Sequence, residues 1–534
     1  MERDTQLQRS LQKLNSTGMT RRQLFQRAGR LGLSVPAGAV LLSVGMGADS
    51  IAAQESNSLS IGLTYDVTTL DATMQYDAQT INVYGNIYDT LLRKDWVNGD
   101  FSIQPHLAES ITTIDDTTWE LKLRQGVTWH NGDAFTGDDV KFTVERVLDP
   151  NVASPQFSNI SGYDHVEVVD PYTVRIITKQ PFPLVPITLC NLRIVPATYF
   201  QATGAEQVAV SPIGTGPYKF VEWVKGDHVT LEANPDYWNG APSIQQVTFL
   251  IIPEDATRIA GLQTGNADLI LAVPSINEPN LANSPDLTIA KTEIERISWI
   301  ELQALADSGR PTAKVEVRQA IAYAIDRDAL IQGLLLGNGT KINTMLTPKH
   351  LGYSADIPGY EFDLEKAKSL LATAGYPDGV DLEFMVGTGG QSKEQAEAIA
   401  GQLAEAGFNV NINLVESSVL LSGWQKHDFG DMILATWTSN TFDADGTLYP
   451  LFHSDTVWSN YANPQMDTLL DEARSTIDPA AREPLYKQAL QILHDDMPGV
   501  PLWEQVALYG MTKRVQWQPR PDQELFLVEM TLTA

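Results

Sequence analysis

The side chains that most often carry catalysis are present in this chain but never gathered. Its eight histidines, His106, His130, His165, His228, His350, His427, His453 and His494, stand singly, with no pair at the spacing that puts two imidazoles on one metal. There is no His-Glu-x-x-His for zinc, no Gly-x-Ser-x-Gly to raise a serine nucleophile and no Gly-Lys-Ser/Thr phosphate loop. The single cysteine, Cys190 in "PITLCNLRIV", can form neither an internal disulfide nor a multi-cysteine metal site, and its apolar neighbours suit a small buried hydrophobe. No metal, cofactor or catalytic residue is therefore expected, and a secreted hydrolase stands only as the alternative of another class. Recognition is the chemistry the residues offer: loops that combine flat aromatic, amide and carboxylate groups can grip a small polar solute.

The elements that would position such loops are legible. Leu382 to Val386 reads as a strand, Ser392 to Ala406 as a helix and Val410 to Val415 as a returning strand, a βαβ unit whose ligands gather at the carboxyl ends of its strands. Two loops lie at that end: "GTGGQS", 387–392, and "TWTSNTFDAD", 436–445, which follows a strand over 431–435. Around Gly389 the first could turn backbone N–H groups toward an anion or hydroxyl, a flexible loop being the alternative. In the second, Asp443 and Asp445 could present a carboxylate to a cation, or form a solvated turn with Asp445 as a helix cap.

Elsewhere Trp119, Leu121 and Leu123 alternate with polar residues as a half-buried strand, and Asn131-Gly132 makes a positive-φ turn. Thr136 caps a helix with Asp138 and Asp139 at its positive end and Val140, Val144, Val147 and Leu148 on one face; Asp149-Pro150 stops it. Asp363, Asn463 and Asp478 start three more helices, the last two with proline at the first helical position. A length of 534 residues exceeds one ordinary core, and 43% hydrophobic with 19% charged is a globular balance. The formal charge of −29 makes nucleic acid an unfavourable partner.

The block "RQGVTWHNGDAFTGDDV", Arg124 to Val140, resembles the signature of the family 5 extracellular solute-binding proteins, the dipeptide, oligopeptide and nickel receptors of ABC importers. Three further blocks follow in the family's order: "SPIGTGPYKFVEWVKGDHVTLEANPDYWNGAPSIQQVTF" (211–249), "VRQAIAYAIDRDALI" (317–331) and "FDLEKAKSLLATAGYPDG" (362–379). The resemblance implies an α/β, two-lobed periplasmic binding protein fold of class II, cluster C type, with an extra subdomain over about 76–205. Lobe 1 would span 54–291, lobe 2 292–499, and 500–534 would return to lobe 1. The crossings "RISWIELQ" (296–303) and "GVPLWEQ" (499–505) become candidate hinges.

By the same resemblance the ligand sits in the cleft between the lobes, touched by Tyr65 and Asp66 from one side, by Trp437, Asn440, Phe442, Asp443 and Gly389 from the other, and by Trp503 near a hinge. Trp299 also lies near a hinge, and for Trp299, Trp503 and Trp437 alike a core contact is the alternative. In dipeptide receptors the position of Asn440 is an aspartate that binds the ligand ammonium, and an arginine near Gly387 or Thr388 binds its carboxylate. This chain has neither group, and removing one partner of a buried charge pair typically costs about 2–5 kcal/mol. The expected solute is therefore not an ordinary dipeptide but a sugar, an opine-like compound, a chelate or another small organic molecule, with a di- or oligopeptide as the alternative. The expected partners are that solute and the ABC permease, and the expected state a monomer.

The first residues carry an address. "TRRQLF", Thr20 to Phe25, resembles the twin-arginine export motif and is followed by a mildly apolar stretch, Leu31 to Ala48, and small residues suited to cleavage near Ala53. A signal over 1–53 implies a periplasmic protein; general secretory routing stays open because Leu24-Phe25 inverts the usual order and Gln26 replaces a lysine. No cysteine lies near the cleavage region, so no lipid anchor is expected.

Overall fold

The computed structural model describes residues 57–97, 100–389 and 392–533. The export motif and its cleavage region lie outside the described residues. Among the described residues, no helix is long and apolar enough to cross a membrane.

Seventeen strands matter here. In the first half they are β1 (Ser58–Leu63), β2 (Leu92–Val97), β3 (Asp100–Pro105), β4 (Ala108–Asp115), β5 (Thr118–Leu123), β6 (Tyr163–Asp170), β7 (Thr173–Thr178), β8 (Tyr218–Val224), β9 (His228–Ala233), β10 (Gln246–Ile251) and β11 (Leu269–Ile270). The second half adds β12 (Leu287–Leu302), β13 (Gly339–Lys341), β14 (Val380–Gly387), β15 (Phe408–Val415), β16 (Met432–Trp437) and β17 (Gly499–Thr512). One path orders most of them as β15-β14-β16-β12-β17-β11-β1-β10-β9-β8, with β13 added beside β17. Strands β4-β5-β7-β6 form a separate sheet, and β2 and β3 a separate hairpin.

Local sequence explains the frame. In β5, Trp119, Leu121 and Leu123 are buried while Lys122 between them is exposed, as period-two alternation requires. Helix Gly137–Leu148 opens with a capping box between Thr136 and Asp139 and buries Val140, Val144 and Val147 on the four-stranded sheet. Gly132 has φ 90°, and the turn it makes closes the short pairing of Thr128 with Ala134. Asp363, Asn463 and Asp478 each accept a backbone N–H at the start of their helices. The βαβ unit is present: β14 pairs in parallel with β15 through helix Ser392–Ala406, and with β16 on its other side.

Two long strands join the halves. The first part of β12 pairs with the end of β17 from Leu287–Thr512 to Glu293–Val506, and its later part with the start of β17 from Ile297–Glu504 onward. Between Glu293 and Ile297 the register shifts, and it shifts again between Ser298 and Trp299, which pair with Trp503 and Pro501. Side chains on one side of the first break, such as Leu59, Phe249, Tyr509 and Met511, belong to one core, and those on the other, such as Ile300, Phe384, Leu403 and Trp503, to another. The segments 296–303 and 499–505 are thus paired strands that contain the second of these irregularities, while the first ends where 296–303 begins, and a bend can pivot on either.

Glu301 of β12 is buried, with Trp299 Nε1 and Asn460 Nδ2 donating to its carboxylate at 2.9 and 3.3 Å. Burial outweighs both bonds and pushes its pKa up to about 8. A carboxyl whose pKa rises on folding contributes stability that is complete below its unfolded value and lost as pH climbs through the folded one. The thermal midpoint should therefore fall as pH rises from about 5 to about 8, each tenfold difference in proton affinity between the folded and unfolded chains being worth about 1.4 kcal/mol. Glu301→Gln should flatten that slope, read by calorimetry across the range.

Candidate functional site

The loop after β16 turns sharply. Asn440 and Phe442 both hold left-handed backbone, with φ 58° and 52°, a conformation that costs non-glycine residues energy unless surrounding contacts fix it. Those contacts are visible. The Glu295 carboxylate, in the irregular stretch of β12, accepts from the Phe442 N–H at 3.0 Å and from the Ser439 hydroxyl, and His350 Nε2 stands 3.3 Å from it. Asn191, from the first half of the chain, donates its Nδ2 to the Asn440 carbonyl at 3.0 Å. The Phe442 ring stacks on Phe101 at 5.1 Å and meets Trp96 edge-on at 4.8 Å, both on the β2–β3 hairpin.

This loop borders two cavities between the halves. One, of about 650 Å³, is walled by Tyr76, Lys179 and Asn191 on one side and by Trp437, Asn440 and Arg474 on the other. The second, of about 860 Å³, lies on the Phe442 side, between Phe101 and Ile187 and the polar side chains of Lys349, His350 and Glu504. Both volumes fall in the range of small-molecule sites, roughly 300–1,000 Å³. The Trp437 ring is fixed in the first cavity: its Nε1–H donates to the Gly446 carbonyl at 2.9 Å, and Trp458 packs edge-on at 6.1 Å. A half-buried indole, amides and two cations give that cavity the means to hold a polar organic molecule, and the Ser439 hydroxyl in its wall stands 3.4 Å from His350 Nε2.

Residues 102–459 match the sequence profile of the bacterial extracellular solute-binding proteins, family 5. The chain belongs to that family. Family 5 proteins are the periplasmic solute-binding components of ABC importers; they bind solutes rather than transform them. Among relatives, this family 5 chain is 29% identical to the heme-binding protein A of Haemophilus influenzae over 478 residues, 83% of this chain and 85% of that one. It is also 29% identical to the glutathione-binding protein GsiB of Salmonella typhimurium over 454 residues, 82% and 86% of the two chains. Of solved structures, HbpA2 from Haemophilus parasuis superposes with a TM-score of 0.81 at 28% identity, covering 90% of this chain and 100% of that one. AgaA from A. tumefaciens R10, solved with agropinic acid, does so with a TM-score of 0.72 at 28% identity, over 89% and 99%. The fold is the two-lobed α/β architecture of periplasmic binding proteins.

Within this family 5 frame the residues singled out by sequence fall into distinct places. Trp437 and Asn440 line the first cavity, and Phe442 lines the second while buried against the hairpin. Tyr65 is exposed, and its hydroxyl donates to Asp77 at 2.8 Å. Asp66 is turned away: its carboxylate accepts from Trp223 Nε1 at 3.0 Å and the Gly226 N–H at 2.7 Å, so it fixes the β8–β9 turn. Asp443 borders the second cavity but is buried and occupied, taking both terminal nitrogens of Arg482 at 2.7 Å, and Asp445 is held by Arg474 at 2.9 and 2.8 Å. Neither carboxylate is free to meet a cation.

Trp503 is 2% exposed in the core of the second half, beside Gly339, and Trp299 is wholly buried, and neither tryptophan lines either of the two cavities. Gly389 accepts from the Ser392 N–H and hydroxyl at the start of its helix and lines neither cavity; 390 and 391 lie outside the described residues. Sequence reasoning missed Glu295, Arg296, Lys179, Asn191 and Arg474. Only the first two left a local signal: adjacent opposite charges set between the apolar Ile294 and Ile297 of "EIERISWIEL".

Proposed function

We propose that this protein captures one small organic solute in the cavity of about 650 Å³ and presents the closed form to an ABC permease. The observation that carries the reading is that the cavity is walled from both halves of the chain, with Asn191 meeting the Asn440 carbonyl across it. A solute that touches both walls stabilises the closed arrangement alone, and a ligand shifts a conformational equilibrium only by such a difference. Lobe 1 would comprise residues up to 291, lobe 2 292–499, and the tail from 500 would return to lobe 1, with the bend at the register shift between Glu293 and Ile297. The protein would work as a periplasmic monomer exported through the twin-arginine motif of its first segment.

An ordinary dipeptide fits poorly. Asn440 stands in the cavity where dipeptide receptors carry the ammonium-binding aspartate, and the nearby Asp443 and Asp445 are consumed by arginines. A non-peptide acid such as the agropinic acid held by AgaA, or a modified peptide such as the glutathione of the GsiB proteins, suits the walls better. The test is a thermal-shift panel of glutathione, agropinic acid, haem, Met-Leu, nickel–histidine and sugars, joined to native mass spectrometry of protein from the periplasm. One class should raise the midpoint, by about 2.7 kcal/mol of added stability at a hundredfold excess over Kd, and leave unaltered. Conversion of the bound compound to product, or no shift with any class, would contradict the reading.

A further inference from the structure

Arg296 occupies the irregular stretch of β12 where the two halves meet. Its Nε donates to the Thr438 hydroxyl at 3.0 Å, and Thr438 is part of the wall of the 650 Å³ cavity. Among the described residues it is the arginine whose terminal nitrogens both lack a protein partner. Arg318 and Arg327, which also have no carboxylate, each donate to several backbone carbonyls instead. The neighbouring Glu295 gives its carboxylate to Ser439, Phe442 and His350, and among the described residues no carboxylate comes within ion-pair distance of Arg296. Burial with only the phenols of Tyr65 and Tyr509 to offset it pushes the guanidinium below its ordinary pKa.

The surroundings point the same way. Of the charged groups in the cavity wall, Arg474 and Asp445 neutralise each other, and Lys179 is left, donating to the Ser161 carbonyl at 2.9 Å. In a chain of net charge −29 the cleft wall is therefore locally cationic.

We infer that Arg296 is an anion anchor at the hinge side of the cleft, and that the solute captured there carries a carboxylate. This rests on the reading of the cavity as the solute site. A guanidinium offers two parallel N–H donors that match a carboxylate, and here they are held part-buried and unspent. Because the anchor spans the bend, engaging it would couple binding to closure. Arg296 would then cost the empty protein stability, as an uncompensated buried charge does.

Arg296→Met tests this in two ways. Without any ligand, the variant should unfold at the wild-type temperature or above it; a midpoint several degrees lower would make Arg296 a structural residue and overturn the proposal. With succinate and N-acetylglycine against their neutral amides, at matched ionic strength, the acids alone should raise the wild-type midpoint, and the variant should lose that response. Equal responses of the two proteins, or none in either, would also overturn it. A solute found by the panel that carries no acid group would sink the anchor while leaving capture intact, whereas failure of every panel compound would remove capture and leave the ligand-free comparison to judge Arg296.

Discussion

Arg482→Met should lower the stability of the protein by about 3–5 kcal/mol, the usual cost of leaving one partner of a buried ion pair uncompensated. Arg482 is among the largest fully buried side chains, and it joins Asp443 through two 2.7 Å bonds while donating also to the Tyr486 hydroxyl at 2.6 Å. Asp443 in turn accepts the Asp445 N–H at 2.9 Å, at the start of helix Asp445–Phe452. Losing the guanidinium thus strands a carboxylate under the loop whose left-handed residues Asn440 and Phe442 shape the cavities. Urea unfolding should show the fall, and Asp443→Asn added to Arg482→Met should restore part of it by removing the stranded charge. Wild-type stability in the single variant would mean the pair is not the anchor of that loop.

Trp437→Ala should weaken solute binding at least tenfold, and by about 2 kcal/mol if the indole is a central contact, with a smaller effect on folding. The ring is half-buried and pre-positioned by the Gly446 carbonyl and Trp458, so a ligand that stacks on it pays little ordering entropy. Truncation removes that surface and leaves the Gly446 carbonyl to water. Calorimetric titration of the variant with the compound that shifts the wild type is the check. An unchanged Kd would remove Trp437 from the contact set.

Helix starts, strand alternation and the βαβ unit were readable from the residues because each is a local matter: a cap reaches three residues forward and a pleat repeats every two. The loop after β16 was found by the same logic, since it follows the carboxyl end of a strand. What sequence could not supply was who pairs with whom. Asp66 looks available until Trp223 is seen on it, and Asp443 until Arg482 is. Trp503 sits in a stretch that reads as a link between lobes, yet its strand is central in the sheet and its ring is enclosed by the side chains of one core. Carboxylates and indoles at loops are ambiguous for that reason: burial is decided by partners far along the chain.

The hinge shows the same divide. Both crossings followed from the family resemblance, but the breaks in their pairing depend on register, which two strands more than 200 residues apart set only once they meet. Glu295 and Arg296, the charged pair at that break, face different partners, and this difference joins the bend to the cavity wall.

The central claim is that the two halves shut on a solute by bending where β12 loses register with β17. Small-angle X-ray scattering of one preparation, first stripped of solute by unfolding and refolding and then saturated with the compound that stabilises it, measures this directly. A smaller radius of gyration with solute present, lost again in Trp437→Ala at the same concentration, is the predicted result. Superimposable curves with and without a compound shown to be bound would contradict it.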